Sequence, residues 1–408
     1  MGELKVTCDP EDVGLDSARL RRIDAHFAPY VDDGRLPGWL ALVSRRGEIA
    51  HLSAYGSRDV ASGAPVEPDT LFRIYSMSKP ITSVAVMMLY EEGLLELTDP
   101  VSRHLPAFAD VRVYEKGPAF SPVTRPAAEP VRVWHLLTHT SGLVYGFQHV
   151  SVVDELYRRA GFDRGAPRGM GLAEAVDRWA ELPLLFEPGT QWNYSVATDV
   201  LGRLVEMVSG RPLDEFLSER IFRPLGMDDT GFWIDGERAG RMATLYSADR
   251  HRRAVPMDTR GAELRRPSFL SGGGGLISTA GDYHRFTQML LRGGELDGVR
   301  LLGPRTVAYM TRNHLPGGAD LEEFGRPVFA EVPYAGVGFG LGFAVVRDAA
   351  RHRTLSSAGE FSWGGAASTA FWVDPAEELT VVFMTQLLPS DTHPIRSRLR
   401  QLVYQALL

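Results

Sequence analysis

Apolar positions along the chain change their rhythm twice. Leu20, Ile23, Phe27 and Val31 recur at helical spacing and predict an amphipathic helix over residues 15–31. Short apolar runs at 39–43 and 49–55 flank Arg45-Arg46-Gly47 and predict a β-hairpin. Residues 71–75 read as a further extended piece. They run into a segment, 77–92, that is apolar nearly all round and stops at Gly93, the pattern of a buried helix. The middle of the chain then predicts helices over 131–138, 172–182, 197–209 and 213–222. Loops rich in Pro and Gly, 107–130 and 161–171, join them. After about residue 232 extended segments return at 337–346, 353–358, 366–373 and 379–386. Helices are predicted at 279–291, 304–313 and 394–407.

Strands at both ends and helices between them predict an α/β (α+β) fold with one sheet built from both termini. The expected division is a sheet domain from 1–75 and 232–408 and a mainly helical domain from 76–231, with the site at their interface. Gly336, Gly338, Gly340 and Gly342 alternate, which predicts close packing on one strand face.

Composition narrows the function. A formal charge of -7 with no basic run argues against nucleic-acid partners. No stretch approaches the roughly 18 apolar residues that span a bilayer, and residues 1–10 carry no secretory pattern. A cytoplasmic location without membrane partners is therefore expected. The lone Cys8 cannot form an internal disulfide and lies in no catalytic context.

Only three lysines occur, Lys5, Lys79 and Lys116. Lys79 falls inside the most apolar helix, and Ser76 lies three residues before it, on the same helix face. Ser76 is also where extended chain becomes helix, so developing negative charge meets a helix N-terminus. An amine in that place can take the hydroxyl proton, which an arginine cannot do.

Ser76-Met77-Ser78-Lys79 resembles the first motif of serine β-lactamases and penicillin-binding proteins. Residues 135–143, His-Leu-Leu-Thr-His-Thr-Ser-Gly-Leu, look like a signature of the class C β-lactamase superfamily. Pro188-Gly189, Tyr194-Ser195, Gly273-Gly274-Gly275-Leu276 and Ser278-Thr279 follow in order. The resemblance implies a β-lactamase-like fold and places Tyr194 as a second base beside Lys79. Which of the two takes the proton stays open in the sequence. Val196 stands where that family has an asparagine that contacts lactam amides. The third family motif, Lys-Thr-Gly, is absent. Ser362-Trp363-Gly364-Gly365-Ala366 stands there and resembles the β-lactamase-like carboxylesterases.

By that resemblance the backbone N–H groups of Ser76 and Ala366 form an oxyanion hole. Trp363, Gly364, Gly365, Tyr145 and Val196 are expected to line the substrate pocket. The expected function is a serine carboxylesterase acting on a small-molecule ester through an acyl-enzyme on Ser76, with no cofactor and no metal. Three alternatives accompany it: an acyltransferase, a β-lactamase or D-amino-acid peptidase, and a non-catalytic binding module. His135 and His139 stand four apart but lack the Glu of an H-E-x-x-H site, which favours packing and capping over a metal. No Gly-x-Ser-x-Gly occurs, which disfavours an α/β-hydrolase elbow.

Overall fold

A computed structural model describes residues 4–163, 165–259, 261–325 and 334–408. Its centre is an eight-stranded antiparallel sheet. In chain order the strands are β1 (Gly38–Arg45), β2 (Glu48–Asp59), β3 (Ala64–Pro65), β4 (Val337–Phe339), β5 (Ala344–Val346), β6 (Phe361–Gly364), β7 (Ala370–Asp374) and β8 (Leu379–Met384). Across the sheet they run β4-β5-β6-β7-β8-β1-β2-β3. The two ends of the chain thus meet at β1 and β8, where Leu40 faces Met384 and Leu42 faces Val382.

Every residue of β1 is buried. A strand covered on both faces needs apolar side chains in both directions, hence the unbroken run 39–43. On one face Trp39, Ala41, Val43, Val381 and Phe383 pack under helices α1 (Arg22–Asp32) and α5 (Ile395–Tyr404), which contribute Ile23, Phe27, Leu399 and Val403. On the other face Leu40, Leu42, Val382 and Met384 join a larger core. It includes helices α2 (Ser78–Glu91), α3 (Ala197–Ser209) and α4 (Ala280–Leu291). Gln288 of α4 also donates to Thr380 of β8 at 2.9 Å. Among the described residues, those between β3 and β4 contribute no strand to this sheet.

Several expected elements differ in detail. Residues 337–346 form two strands, because the chain reverses over Gly340 to Gly342. Gly342 has φ +96°, and a Cβ there would lie 2.2 Å from Ser83 Oγ. The alternating glycines therefore serve close approach, but at turns as well as on a strand. Residues 353–358 are not a strand. A short helix, Ala349–His352, ends at Arg353 with φ +56°, and β6 begins only at Phe361. The expected loop 107–130 contains a hairpin, Arg112–Lys116 with Val123–Pro126. A helix that the pattern did not predict, Val152–Arg159, is capped by Ser151. The helix expected over 15–31 breaks at Arg21 into Ser17–Leu20 and α1. Among the described residues no helix is long and apolar enough to cross a membrane.

Candidate active site

The chain reaches Ser76 through a pinned and strained approach. Phe72–Arg73 pairs with Ile277–Ser278. The side chain of Gln386 accepts from the Arg73 N–H at 3.2 Å and donates to the Arg73 carbonyl at 3.0 Å. Tyr75 then adopts φ +44°, a left-handed conformation that costs an aromatic residue about 1–3 kcal/mol. One 3-10 turn, Tyr75–Met77, carries Ser76 and passes into α2. Strain of this kind persists only where flanking contacts dictate it. Here the Gln386 clamp and the Ile74 N–H to Leu276 carbonyl bond, 3.0 Å, do so.

Three side chains converge on this turn. Tyr194 Oη lies 2.7 Å from Ser76 Oγ, and Lys79 Nζ lies 3.3 Å from it. Lys79 is 2% exposed. Its amine donates to the Gly273 carbonyl at 2.7 Å and stands 4.5 Å above the centre of the Tyr194 ring. The buried lysine is thus compensated by a carbonyl, a hydroxyl and an aromatic face. Gly272 and Gly273 are required for this. A Cβ on Gly273 would fall 2.8 Å from Asp199 Oδ2, and one on Gly272 would fall 2.9 Å from the Thr198 carbonyl.

Electrostatics around the trio follow from burial. Asp199 accepts from the Gly273 N–H at 3.0 Å and from Ser271 Oγ at 2.6 Å, so both ends of the Gly273 residue are held. Burial pushes the Asp199 carboxyl above its ordinary range, while the nearby Lys79 charge opposes that rise. His139 lies under Tyr194, ring centres 5.0 Å apart, with Nδ1 3.2 Å from Ser195 Oγ. Burial, and then the Lys79 charge, hold this imidazole well below the usual histidine range. His135 caps the helix Val133–Leu137 by accepting the Arg132 N–H on Nδ1 at 3.0 Å. Among the described residues no group of His, Cys, Asp and Glu is placed to hold a metal ion.

Ser76 and Tyr194 open into a cavity walled by Trp363, Gly364, Gly365 and Ala366. Trp363 Nε1 is 3.4 Å from Tyr194 Oη, and the two rings sit 5.4 Å apart. Phe147, Val337, Ala344 and Val346 make much of the remaining wall apolar. Two further expected pocket residues are placed as follows. Val196 is 4% exposed and belongs to the large core, as an apolar side chain at the start of α3 would. Tyr145 packs beside the trio, its ring centre 5.3 Å from that of Tyr194 and 5.4 Å from Lys79 Nζ, and stacks on Phe147 at 4.7 Å. The sequence reading missed Phe147 and the C-terminal Arg396, both on the cavity wall. Phe147 sits two residues past the quoted Tyr145. Nothing local marks Arg396.

A hydroxyl with a phenol and an amine in reach is equipped for nucleophilic acyl chemistry. The chain has relatives in other organisms. An uncharacterized protein of Mycobacterium tuberculosis (strain CDC 1551 / Oshkosh) is 39% identical over 374 residues, 90% of this chain and 89% of its own. Esterase EstB of Burkholderia gladioli is 35% identical over 417 residues, covering 97% and 98%. Among solved structures, EstCE1, described as a hydrolase with promiscuous acyltransferase activity, matches with TM-score 0.80. Its identity is 28%, covering 97% of this chain and 99% of that one. The family model for beta-lactamase matches residues 23–405, and with that span and these relatives the chain belongs to the β-lactamase family.

Proposed function

We propose that this protein is a serine esterase that cleaves small carboxylic esters through an acyl-enzyme on Ser76. The observation that carries the reading is the convergence of Tyr194 at 2.7 Å and Lys79 at 3.3 Å on Ser76 Oγ, beside an apolar-walled cavity. Ser76 Oγ attacks the ester carbonyl, and its proton passes to the Tyr194–Lys79 pair. The backbone N–H groups of Ser76 and Ala366 receive the carbonyl oxygen as it becomes negative. Each such donor is worth about 3 kcal/mol in the transition state. Collapse expels the alcohol, which takes up the proton. Water then repeats the sequence on the acyl-enzyme and releases the acid.

The absence of Lys-Thr-Gly removes a cation that would hold a lactam carboxylate, and Trp363 offers an apolar face in its place. EstB bears the name esterase, which agrees with this choice. A second reading, transfer of the acyl group to an alcohol, draws support from the acyltransferase side activity in the description of EstCE1.

Intact-protein mass spectrometry after exposure to an ester panel, with and without acceptor alcohols, tests both. An acyl adduct on Ser76, absent from Ser76→Ala, is expected. An adduct on another residue, or turnover that survives Ser76→Ala, would overturn the mechanism. New ester formed from the acceptor would add the transferase reading.

A further inference from the structure

Part of the cavity wall is the tight turn between β6 and β7. Gly365 accepts the Ser368 N–H at 3.1 Å, and its own N–H donates to the Thr369 carbonyl at 2.9 Å. Ser368 takes φ +68° to close the turn. Arg396 reaches this turn from α5 and also lines the cavity. Its Nη2 donates to the Gly365 carbonyl at 3.0 Å and to the Thr369 carbonyl at 3.2 Å. The guanidinium comes so close that a Cβ on Gly364 would stand 2.3 Å from its Cζ. Arg396 is also the second residue of α5, at the positive end of that helix, where a cation is electrostatically disfavoured.

We infer that Arg396 is a positioning residue that aims the Ala366 N–H at the reacting carbonyl oxygen; this rests on the esterase reading above. The Gly365 carbonyl and the Ala366 N–H belong to one planar trans peptide and point in opposite directions. A charged donor that fixes this carbonyl therefore fixes the opposed N–H as well. The turn lies against the approach to Ser76: a Cβ on Gly365 would lie 2.5 Å from the Ile74 carbonyl, and Ser76 and Ala366 line the same cavity. The guanidinium also polarises this peptide, which strengthens its N–H as a donor. Gly364 is the second half of the device, since any side chain there displaces the guanidinium.

The test compares wild type with Arg396→Met, Arg396→Lys and Gly364→Ala on p-nitrophenyl butyrate, a neutral ester, after melting curves have verified folding. Loss of one oxyanion donor lowers kcat by about 10²–10³-fold, so loss of its aim should lower kcat by about 10- to 100-fold with little change in KM. Inhibition by phenylboronic acid, which forms a tetrahedral adduct on the serine, should weaken in step. Lys should lose less than Met, and millimolar guanidinium should restore part of the Arg396→Met rate. Folded Arg396→Met or Gly364→Ala with kcat and boronate affinity within twofold of wild type would overturn the inference. So would a loss that appears only in KM for carboxylate-bearing esters, which would make Arg396 a substrate anchor. If Arg396→Met does not fold, Arg396→Lys and Gly364→Ala decide by the same criteria. If wild type itself forms no adduct on Ser76, the esterase reading has failed rather than the role of Arg396.

Discussion

Tyr194 Oη approaches Ser76 Oγ to 2.7 Å, whereas Lys79 Nζ keeps 3.3 Å and gives its shorter bond, 2.7 Å, to the Gly273 carbonyl. The phenol is thus the nearer proton partner and the amine the nearer structural tie. Tyr194→Phe removes only the oxygen. It should lower kcat on an activated ester by at least about a hundredfold, the low end for loss of general acid–base help. The melting temperature should stay near that of wild type. Retention of more than a tenth of the activity would mean that Lys79 handles the proton alone.

Lys79→Arg keeps the charge but brings a bulkier, permanently protonated group into a site that is 2% exposed. A loss of at least about a hundredfold in kcat is expected here as well. The Gly273 contact should also suffer, so this variant, unlike Tyr194→Phe, should melt at lower temperature. Calorimetry beside steady-state kinetics separates the two effects.

Trp363 joins the apolar cavity wall to the Tyr194 oxygen. Short-chain p-nitrophenyl esters should therefore exceed a chromogenic cephalosporin in kcat/KM. Trp363→Ala should weaken ester use through both packing and the lost indole N–H. A higher kcat/KM for the cephalosporin would return the protein to the lactamase reading.

Stability should carry a signature of His135. Burial pushes its imidazole down to about 4, and its Nδ1 accepts a backbone N–H, so the folded protein holds it neutral. The unfolded chain binds this proton near the ordinary pKa of 6.5. The unfolded state therefore binds more protons between these values. Stability rises with pH across the window and is lost as pH falls from 6.5 toward 4. The ceiling on this contribution is about 3 kcal/mol. His135→Gln should melt lower at pH 7 yet lose less between pH 7 and pH 4.5. Parallel pH profiles for the two proteins would refute this assignment.

At Gly342 the left-handed φ and the contact with Ser83 both forbid a side chain. Gly342→Ala should destabilise by about 1–3 kcal/mol. Gly63→Ala makes the control: φ is +70°, but nothing lies within 4 Å of the new carbon. Equal losses in the two variants would show that conformation alone matters there.

How much of this was legible in the sequence depends on how far apart the partners lie. Ser76 and Lys79 are one helical turn apart, so their spacing already carries their proximity. The buried run 39–43 and the apolar helix after Met77 are equally local signals. Tyr194 and Trp363 were reached only through ordered motifs shared with a family, since no pattern within the chain joins them to Ser76. Val196 sat in such a motif but packs in the core, because a motif position says nothing of which way a side chain turns. Arg396 escaped notice because its partners are backbone carbonyls of a distant turn, and carbonyls have no letter in the sequence. The strand expected over 353–358 failed for a similar reason. Its apolar content is modest, and the left-handed Arg353 is visible only in the backbone.

The pairing of β1 with β8 also governs how the molecule is made. A ribosome releases β1 and β2 together, and they form a hairpin with one apolar, unpaired edge. The strand that closes this edge, Leu379–Met384, emerges long after β1 and β2. Until then the growing chain presents a template for pairing with other chains. Its yield in a foreign host should therefore depend on translation speed and on the supply of holdase chaperones. A product that stops before Leu379 should accumulate as aggregate rather than as a smaller enzyme.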